Sequence, residues 1–217
     1  MLGNKFMIHT KRKNGEVLLF DGIGDEDSFL RLAKEFGTPI RHPNGSYIKT
    51  LRVTCQSAAP VNSLSARYGT GMFPFHTDTA FWNPPARLVL LRGVNGDLRR
   101  PTFIKPFNDL FEGVVAHHLR RSIWICDTGK RKFYTTLSFE NHDEQVFRYD
   151  PNCMRAANSK AQEIEILLRE RCSDLRNLRI EWKPNRVAII RNWTHLHARG
   201  FPFDGEQGRT LQRIYIR

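Results

Sequence analysis

GMFPFHTDTAFW, residues 71–82, concentrates more candidate chemistry than any other stretch of this chain. Read as extended, as its aromatic and β-branched residues favour, it sends side chains i and i+2 to one face, so the imidazole of His76 and the carboxylate of Asp78 project together. Three residues then deliver one neutral nitrogen and one hard oxygen, a pair suited to a metal ion. By itself His-x-Asp is a common coincidence, and a polar strand end hydrogen-bonded to its surroundings has the same sequence. The decision rests on whether a second histidine arrives from elsewhere.

Outward from this stretch the chain reads as many short strands. Residues 5–23 alternate around Asn14-Gly15 and suit an opening hairpin. Asp25-Glu26-Asp27-Ser28 can cap a helix whose Phe29, Leu32, Ala33 and Phe36 share a face, and Gly37 can close it in a left-handed conformation. Leu51 to Cys55 reads as a strand, and the Ser/Ala/Pro/Asn-rich 57–66 as a loop. Beyond Asp78, Asn83-Pro84-Pro85 stops a ladder, Arg87 to Leu91 suits a buried strand, and Thr102 to Ile104 another. Apolar residues from Phe107 to His118 repeat with helical period. Adjacent His117 and His118 point about 100° apart on a helix, which sets them aside as a metal pair. Strands follow at 122–127, 132–139 and 144–149, then a helix from Asn158 or Ser159 with Ile164, Leu167 and Leu168 inward, then strands at 178–182, 186–193 and 210–216. With no internal repeat and no Pro/Gly linker, 1–217 reads as one mainly β domain with flanking helices, most simply a double-stranded β-helix, or jelly roll.

Composition bounds the function classes. The 217 residues can bury a real core, and 40% hydrophobic with 26% charged residues is ordinary for a globular protein. No run of about 18 apolar residues is present, and the N-terminal MLGNKFMIHTKRK has no signal-peptide pattern, so a soluble cytoplasmic protein without membrane attachment is expected. Cys55, Cys126, Cys153 and Cys172 form no CxxC pair, which argues against a zinc site or a disulfide framework. The net charge of +12, from 34 basic and 22 acidic residues, raises anionic partners. Its basic residues are dispersed, however, and no RNA-binding or zinc-finger pattern accompanies them, which disfavours nucleic acid.

The second histidine has two candidates. Residues 187–217, VAIIRNWTHLHARGFPFDGEQGRTLQRIYIR, run as an apolar strand ending in His195 and His197, then a polar loop, then a last strand with Arg209 and Arg213. Either histidine would complete a 2-His-1-carboxylate set, the arrangement that holds non-heme Fe(II) with its other face open. Strand geometry leaves both open, since 195 and 197 face the same side. Arg209 and Arg213, an even spacing apart, also share a face.

Taken in order, H-T-D, Pro-Pro with an apolar strand, a threonine at 102, N-x-x-x-L-H-A-R and R-x-x-x-R resemble the Fe(II)/2-oxoglutarate dioxygenases of the taurine dioxygenase and clavaminate synthase-like superfamily; LAKEFGTPI at 32–40 is similar to its first helix and exit. The resemblance implies a jelly roll in which His76, Asp78 and His197 ligate iron and are the catalytic set. His195 is then a neighbour or a satisfied core histidine. It implies that Arg209 and Thr102 hold the distal carboxylate of 2-oxoglutarate, although Arg99, Arg100 and Pro101 stand where small residues are usual, and that Arg213 meets an acidic group of the substrate. Arg148 and Arg199 are further candidates for that duty, and Phe73, Phe75, Phe81 and Trp82 are candidate pocket walls or core. Fe(II), 2-oxoglutarate and O2 would oxidise a C–H bond of a small acidic metabolite, such as an amino acid derivative, with release of succinate and CO2. Related halogenases lack the ligating carboxylate, so the resemblance implies that Asp78 favours hydroxylation, or another oxidation such as desaturation or ring formation, over halogenation. A nucleic-acid-directed oxidative dealkylase and a non-catalytic jelly-roll binding protein are the alternatives.

Overall fold

The computed structural model describes residues 7–8, 17–59, 64–114, 116–173, 178–206 and 208–217. Its strands, in chain order, are β1 (Met7–Ile8), β2 (Val17–Phe20), β3 (Pro39–Ile40), β4 (Lys49–Arg52), β5 (Phe73–His76), β6 (Leu88–Asn95), β7 (Thr102–Pro106) and β8 (Ile123–Asp127). They continue as β9 (Lys132–Thr136), β10 (Ser138–Asn141), β11 (Glu144–Phe147), β12 (Met154–Ala156), β13 (Leu178–Ile180), β14 (Val187–Arg191), β15 (His195–Arg199) and β16 (Thr210–Ile216). The helices are α1 (Glu26–Glu35), α2 (Leu64–Tyr68), α3 (Phe107–Leu110), α4 (Ala116–Arg121) and α5 (Ser159–Ser173).

Two sheets face each other. One runs β1-β2-β14-β6-β16-β3, with β4 also on β16; the other runs β13-β7-β15-β5. From β5 to β7 and from β13 to β16 successive strands switch sheets, and the strand pairs described within them are antiparallel, which makes the double-stranded β-helix expected from the sequence. Residues 107–177 are inserted between β7 and β13 and carry α3 to α5 and β8 to β12.

Period-two alternation assigns every face. In β6 and β14, Val89, Leu91, Ala188 and Ile190 fill the inside of the roll with Ile104 of the opposite sheet and Trp182, just beyond β13. Leu88, Leu90, Val187 and Ile189 of the same strands face outward onto Phe29, Leu32 and Ala33 of α1. These strands therefore read as continuous apolar runs, because both faces are covered. In β15, Leu196 and Ala198 pack outward with Phe107, Trp124 and Leu168 of the insertion. By alternation His195, His197 and Arg199 turn inward. In β16, Leu211 and Tyr215 point inward, and so does Arg213 between them.

Helix α1 follows the sequence closely. The Asp25 carboxylate accepts from Ser28 N at 2.7 Å, and Glu26 and Asp27 stand in its first turn. Gly37 has φ +144, and a Cβ there would lie 2.7 Å from both Arg217 O and Ile216 Cγ2, so close approach of the last strand demands glycine.

Several local expectations needed correction. The single helix over 107–118 is two, α3 and α4, separated at Gly113, which takes φ +78. Phe107, Leu110, Phe111 and Leu119 still reach one core, so packing is satisfied without a continuous helix. Residues 57–66, read as loop, contain the end of a 3-10 turn (Gln56–Ala58) and most of α2. The strand read at 51–55 is β4, Lys49–Arg52, and the stretch 132–139 divides into β9 and β10. The opening hairpin appears as β1 paired with β2, while the Asn14-Gly15 turn lies outside the described residues.

Candidate metal centre and arginine pocket

His76 ends β5 and sits directly opposite His197 of β15, the two rings 4.3 Å apart. Asp78 completes the group. His76 Nε2 lies 3.6 Å from Asp78 Oδ1 and His197 Nε2 3.6 Å from Asp78 Oδ2, and one ligand atom from each residue falls within 4.8 Å of the others. Three donors from β5, the turn after it and β15 thus converge. His195, also on the inner side of β15, is outside this group; its Nδ1 lies 3.2 Å from Arg191 O and 2.8 Å from Thr194 Oγ1. Burial pushes its pKa down to about 4.

Strand alternation does not deliver Asp78, contrary to the extended reading of His76-Thr77-Asp78. β5 stops at His76 and Asp78 lies in a turn. The turn is held from two sides. Thr77 N donates to Tyr149 O at 2.6 Å while Tyr149 N donates to Thr77 Oγ1 at 3.2 Å. Thr79 has φ +56, an unusual conformation for a β-branched residue, and its Oγ1 accepts from Ala86 N at 2.8 Å.

The residue that fixes Asp78 is Asn192, fully buried in the turn between β14 and β15. Its Oδ1 accepts from Asp78 N at 2.9 Å, and its Nδ2 donates to Asp78 O at 2.9 Å and to Ala86 O at 2.7 Å. Sequence reasoning gave it no role, although it is the asparagine of the N-x-x-x-L-H-A-R pattern; a polar residue closing an apolar strand was the available signal. Asn192→Ala leaves three buried backbone groups unpaired at about 1–3 kcal/mol each. We expect it to lower the thermal midpoint by several degrees and to weaken divalent-metal binding about tenfold or more, measured by calorimetry on protein that remains folded.

The donor set fits a divalent metal with an open face. His76 Nδ1 donates to Pro74 O at 2.9 Å, which leaves Nε2 with its lone pair toward Asp78. Burial opposes charge at Asp78, but Arg213 and the two histidines hold its carboxyl well below the usual carboxylate range. At His76 burial lowers the pKa and Asp78 more than offsets it, a net rise; at His197 burial and the nearby His76 win, a net fall. His197 Nδ1 is buried without a hydrogen-bond partner among the described residues.

Beside this centre lie the arginines. Arg213 Nη1 donates to both oxygens of Asp78, at 3.0 and 3.1 Å, while its Nε is buried with no partner among the described residues. Arg209 precedes β16, and the ladder with β6 shifts register between Thr210 and Leu211, so a simple even spacing does not relate it to Arg213. It is 5% exposed, its Nη1 donating to Arg100 O at 2.7 Å and lying 3.5 Å from Thr102 Oγ1. Thr102 pairs with Arg199 as Ile104 pairs with His197, so Thr102 faces the inside of the roll two residues from the level of His197, roughly 7 Å. It accepts from Trp182 Nε1 at 3.0 Å.

Around Arg209 positive charge is in excess. Arg100 is ion-paired to Glu206 and also donates to Thr70 O, while Arg199 donates to Gly71 O and Gly69 O. Burial, with repulsion from Arg199 and Arg100, brings the Arg209 pKa down to about 9, only partly offset by Glu206. A buried guanidinium in that state is relieved by an added carboxylate. The Arg100–Glu206 pair, which sequence reasoning missed, anchors the loop leading into Arg209. Of the other candidates, Arg148 donates to Ala80 O, Trp82 O and Asn83 Oδ1, away from the Arg209 group. Phe75 belongs to the outer core; Phe73 packs edge-on against His76.

Two facing sheets in this strand order, with the inserted segment between β7 and β13, give the chain the fold of the Fe(II)/2-oxoglutarate oxygenases of the taurine dioxygenase and clavaminate synthase-like type. It is similar to an asparagine oxygenase solved with Fe(II), 2S,3S-3-hydroxyasparagine and succinate, at TM-score 0.73 and 14% identity, covering 93% of this chain and 74% of that one. The non-heme iron oxygenase OrfP, in complex with Fe and alpha-ketoglutaric acid, matches at TM-score 0.70 and 15% identity over 94% of this chain and 75% of that one. A taurine dioxygenase from Burkholderia xenovorans matches at TM-score 0.68 and 17% identity, covering 93% and 76%. No protein-family model matches the sequence, and no curated protein matches it.

Proposed function

We propose that this protein is an Fe(II)- and 2-oxoglutarate-dependent oxygenase that hydroxylates a C–H bond of a small acidic metabolite, such as an amino acid derivative. The observation that carries the proposal is one arrangement: His76, Asp78 and His197 within ligand distance of one another, with the buried, carboxylate-poor Arg209 and Thr102 two residues along the same inner face. Neither half alone would specify the chemistry. Structures sharing the fold hold iron with succinate or alpha-ketoglutaric acid, and hydroxyasparagine or hydroxyarginine, which supports the same reading.

His76, Asp78 and His197 would hold Fe(II), which with 2-oxoglutarate and O2 supplies the oxidising power for the C–H bond. The protein's own contribution is positioning and charge. Arg209 would pair with the distal carboxylate through a planar fork that lysine lacks, and Thr102 would add a hydroxyl donor. Arg213 stands at Asp78 with an unused Nε donor, so an anionic substrate would compete with Asp78 for its guanidinium. Val89, Leu91, Ile104 and Trp182, buried in one apolar cluster inside the roll, would help to keep water from the reacting groups.

The test is a screen of acidic metabolites for succinate release that depends on substrate, Fe(II), 2-oxoglutarate and O2 together. A visible absorption band on anaerobic addition of Fe(II) and 2-oxoglutarate is the expected first sign. Absence of the band in metal-loaded protein would defeat the proposal.

A further inference from the structure

The turn that carries Asp78 has a second face. There, residues 81–84 and β9 bound an open cleft of about 520 Å³. Phe81, Trp82, Phe133 and Tyr134 line it together with the cations Arg131, Arg148 and Arg217, and among the described residues no Asp or Glu side chain does. None of the residues placed at the metal centre or around Arg209 contributes to it. We propose that this cleft is a binding site for a planar aromatic ring bearing an anionic group, a carboxylate or a phosphate.

Three observations support it. Phe81 and Tyr134 are 44% and 74% exposed, large aromatic surfaces left open to solvent on the two sides of one concavity. Arg148 is 2% exposed, yet its hydrogen bonds run only to two backbone carbonyls and the Asn83 amide, and its Nε has no partner among the described residues. Those bonds, with the Phe139 ring 4.4 Å from its guanidinium carbon, hold it against the 80–83 turn, but no carboxylate among the described residues pairs with its charge. Burial alone brings its pKa down to about 10, the strain that an incoming anion would relieve. Lastly, Arg131 at the rim makes no ion pair among the described residues and can close on an anion stacked between the rings.

The site would report its own occupancy. Trp82 lines the cleft and packs at 5.6 Å against Tyr215, which lies under the guanidinium of Arg213. The other three tryptophans, Trp124, Trp182 and Trp193, are buried. The experiment uses metal-free protein, titrated with benzoate, phenyl phosphate and adenosine 5′-monophosphate, and with benzyl alcohol and adenosine as uncharged counterparts, by calorimetry and tryptophan fluorescence. At least one anion should bind about tenfold or more tightly than its uncharged counterpart and quench Trp82 fluorescence. Arg131→Ala and Tyr134→Ala, both at exposed positions, should each weaken that binding about fivefold or more without shifting the thermal midpoint. Preference for the nucleotide or for benzoate would say which anion source the cleft takes, and either supports the site. Failure of all three anions to bind, equal binding of the uncharged counterparts, or unchanged affinity in both variants would overturn it. Because no metal is present, the result is independent of the oxygenase reading.

Discussion

His197→Ala should abolish both the visible Fe(II)–2-oxoglutarate band and succinate release, whereas His195→Ala should keep them. The two histidines stand two residues apart on one strand and face the same side, so the contrast isolates position from residue type. His197 Nε2 is 3.6 Å from Asp78 Oδ2 and opposite His76, while His195 is engaged by Arg191 O and Thr194 Oγ1. Groups that merely orient a metal ligand are worth about 10- to 100-fold in metal affinity, so loss of a ligand should exceed about 100-fold. His195→Ala should instead cost about 1–3 kcal/mol of stability, from the polar atoms it leaves buried. Calorimetry with Co(II) or Fe(II) under anaerobic conditions and a denaturant titration separate the outcomes. If His195→Ala loses the metal and His197→Ala keeps it, the ligand assignment is wrong.

Arg209→Met should raise the dissociation constant for 2-oxoglutarate about 30-fold to a few thousandfold while leaving the unliganded protein as stable as before, or more so. Truncating one partner of a buried charge pair costs about 2–5 kcal/mol of binding, and 1.4 kcal/mol is a factor of ten. The stability expectation has the opposite sign because, without co-substrate, Arg209 is a buried cation among other arginines, and replacing such a charge with an apolar side chain of similar volume is neutral or stabilising. Thr102 Oγ1 keeps its donor in Trp182; only Arg100 O loses one. Arg209→Lys should fall between, since an ammonium restores charge without the planar fork. A large fall in stability together with unchanged 2-oxoglutarate affinity would make Arg209 a structural residue.

Much of this was legible in the sequence, for reasons that differ by residue. Continuous apolar runs made the strands around Leu88–Leu91 and Val187–Ile190 readable, since a strand covered on both sides needs apolar residues on both faces. Asp25 and Phe29, Leu32 and Ala33 announced α1 through capping and helical spacing, both properties of near neighbours. The break at Gly113 and the helix at 64–68 were missed because short helices depend on tertiary packing more than on local pattern. Among site residues, His76, Asp78, His197, Thr102 and Arg209 were nameable, but their meeting was not derivable from spacing. Asp78 owes its place to Asn192, 114 positions later, and Arg209 to a loop anchored by Glu206 on Arg100.

The residue types and their order, then, determined a β-rich roll and a stock of metal and carboxylate donors, because strand period and side-chain chemistry are local properties. Only the folded chain decided that His76 faces His197 across a ladder, that Arg213 lies on Asp78, and that Arg209 sits buried with no carboxylate partner among the described residues. These are contacts between segments up to 135 residues apart, fixed by sheet register and buried hydrogen bonds, to which no local pattern responds.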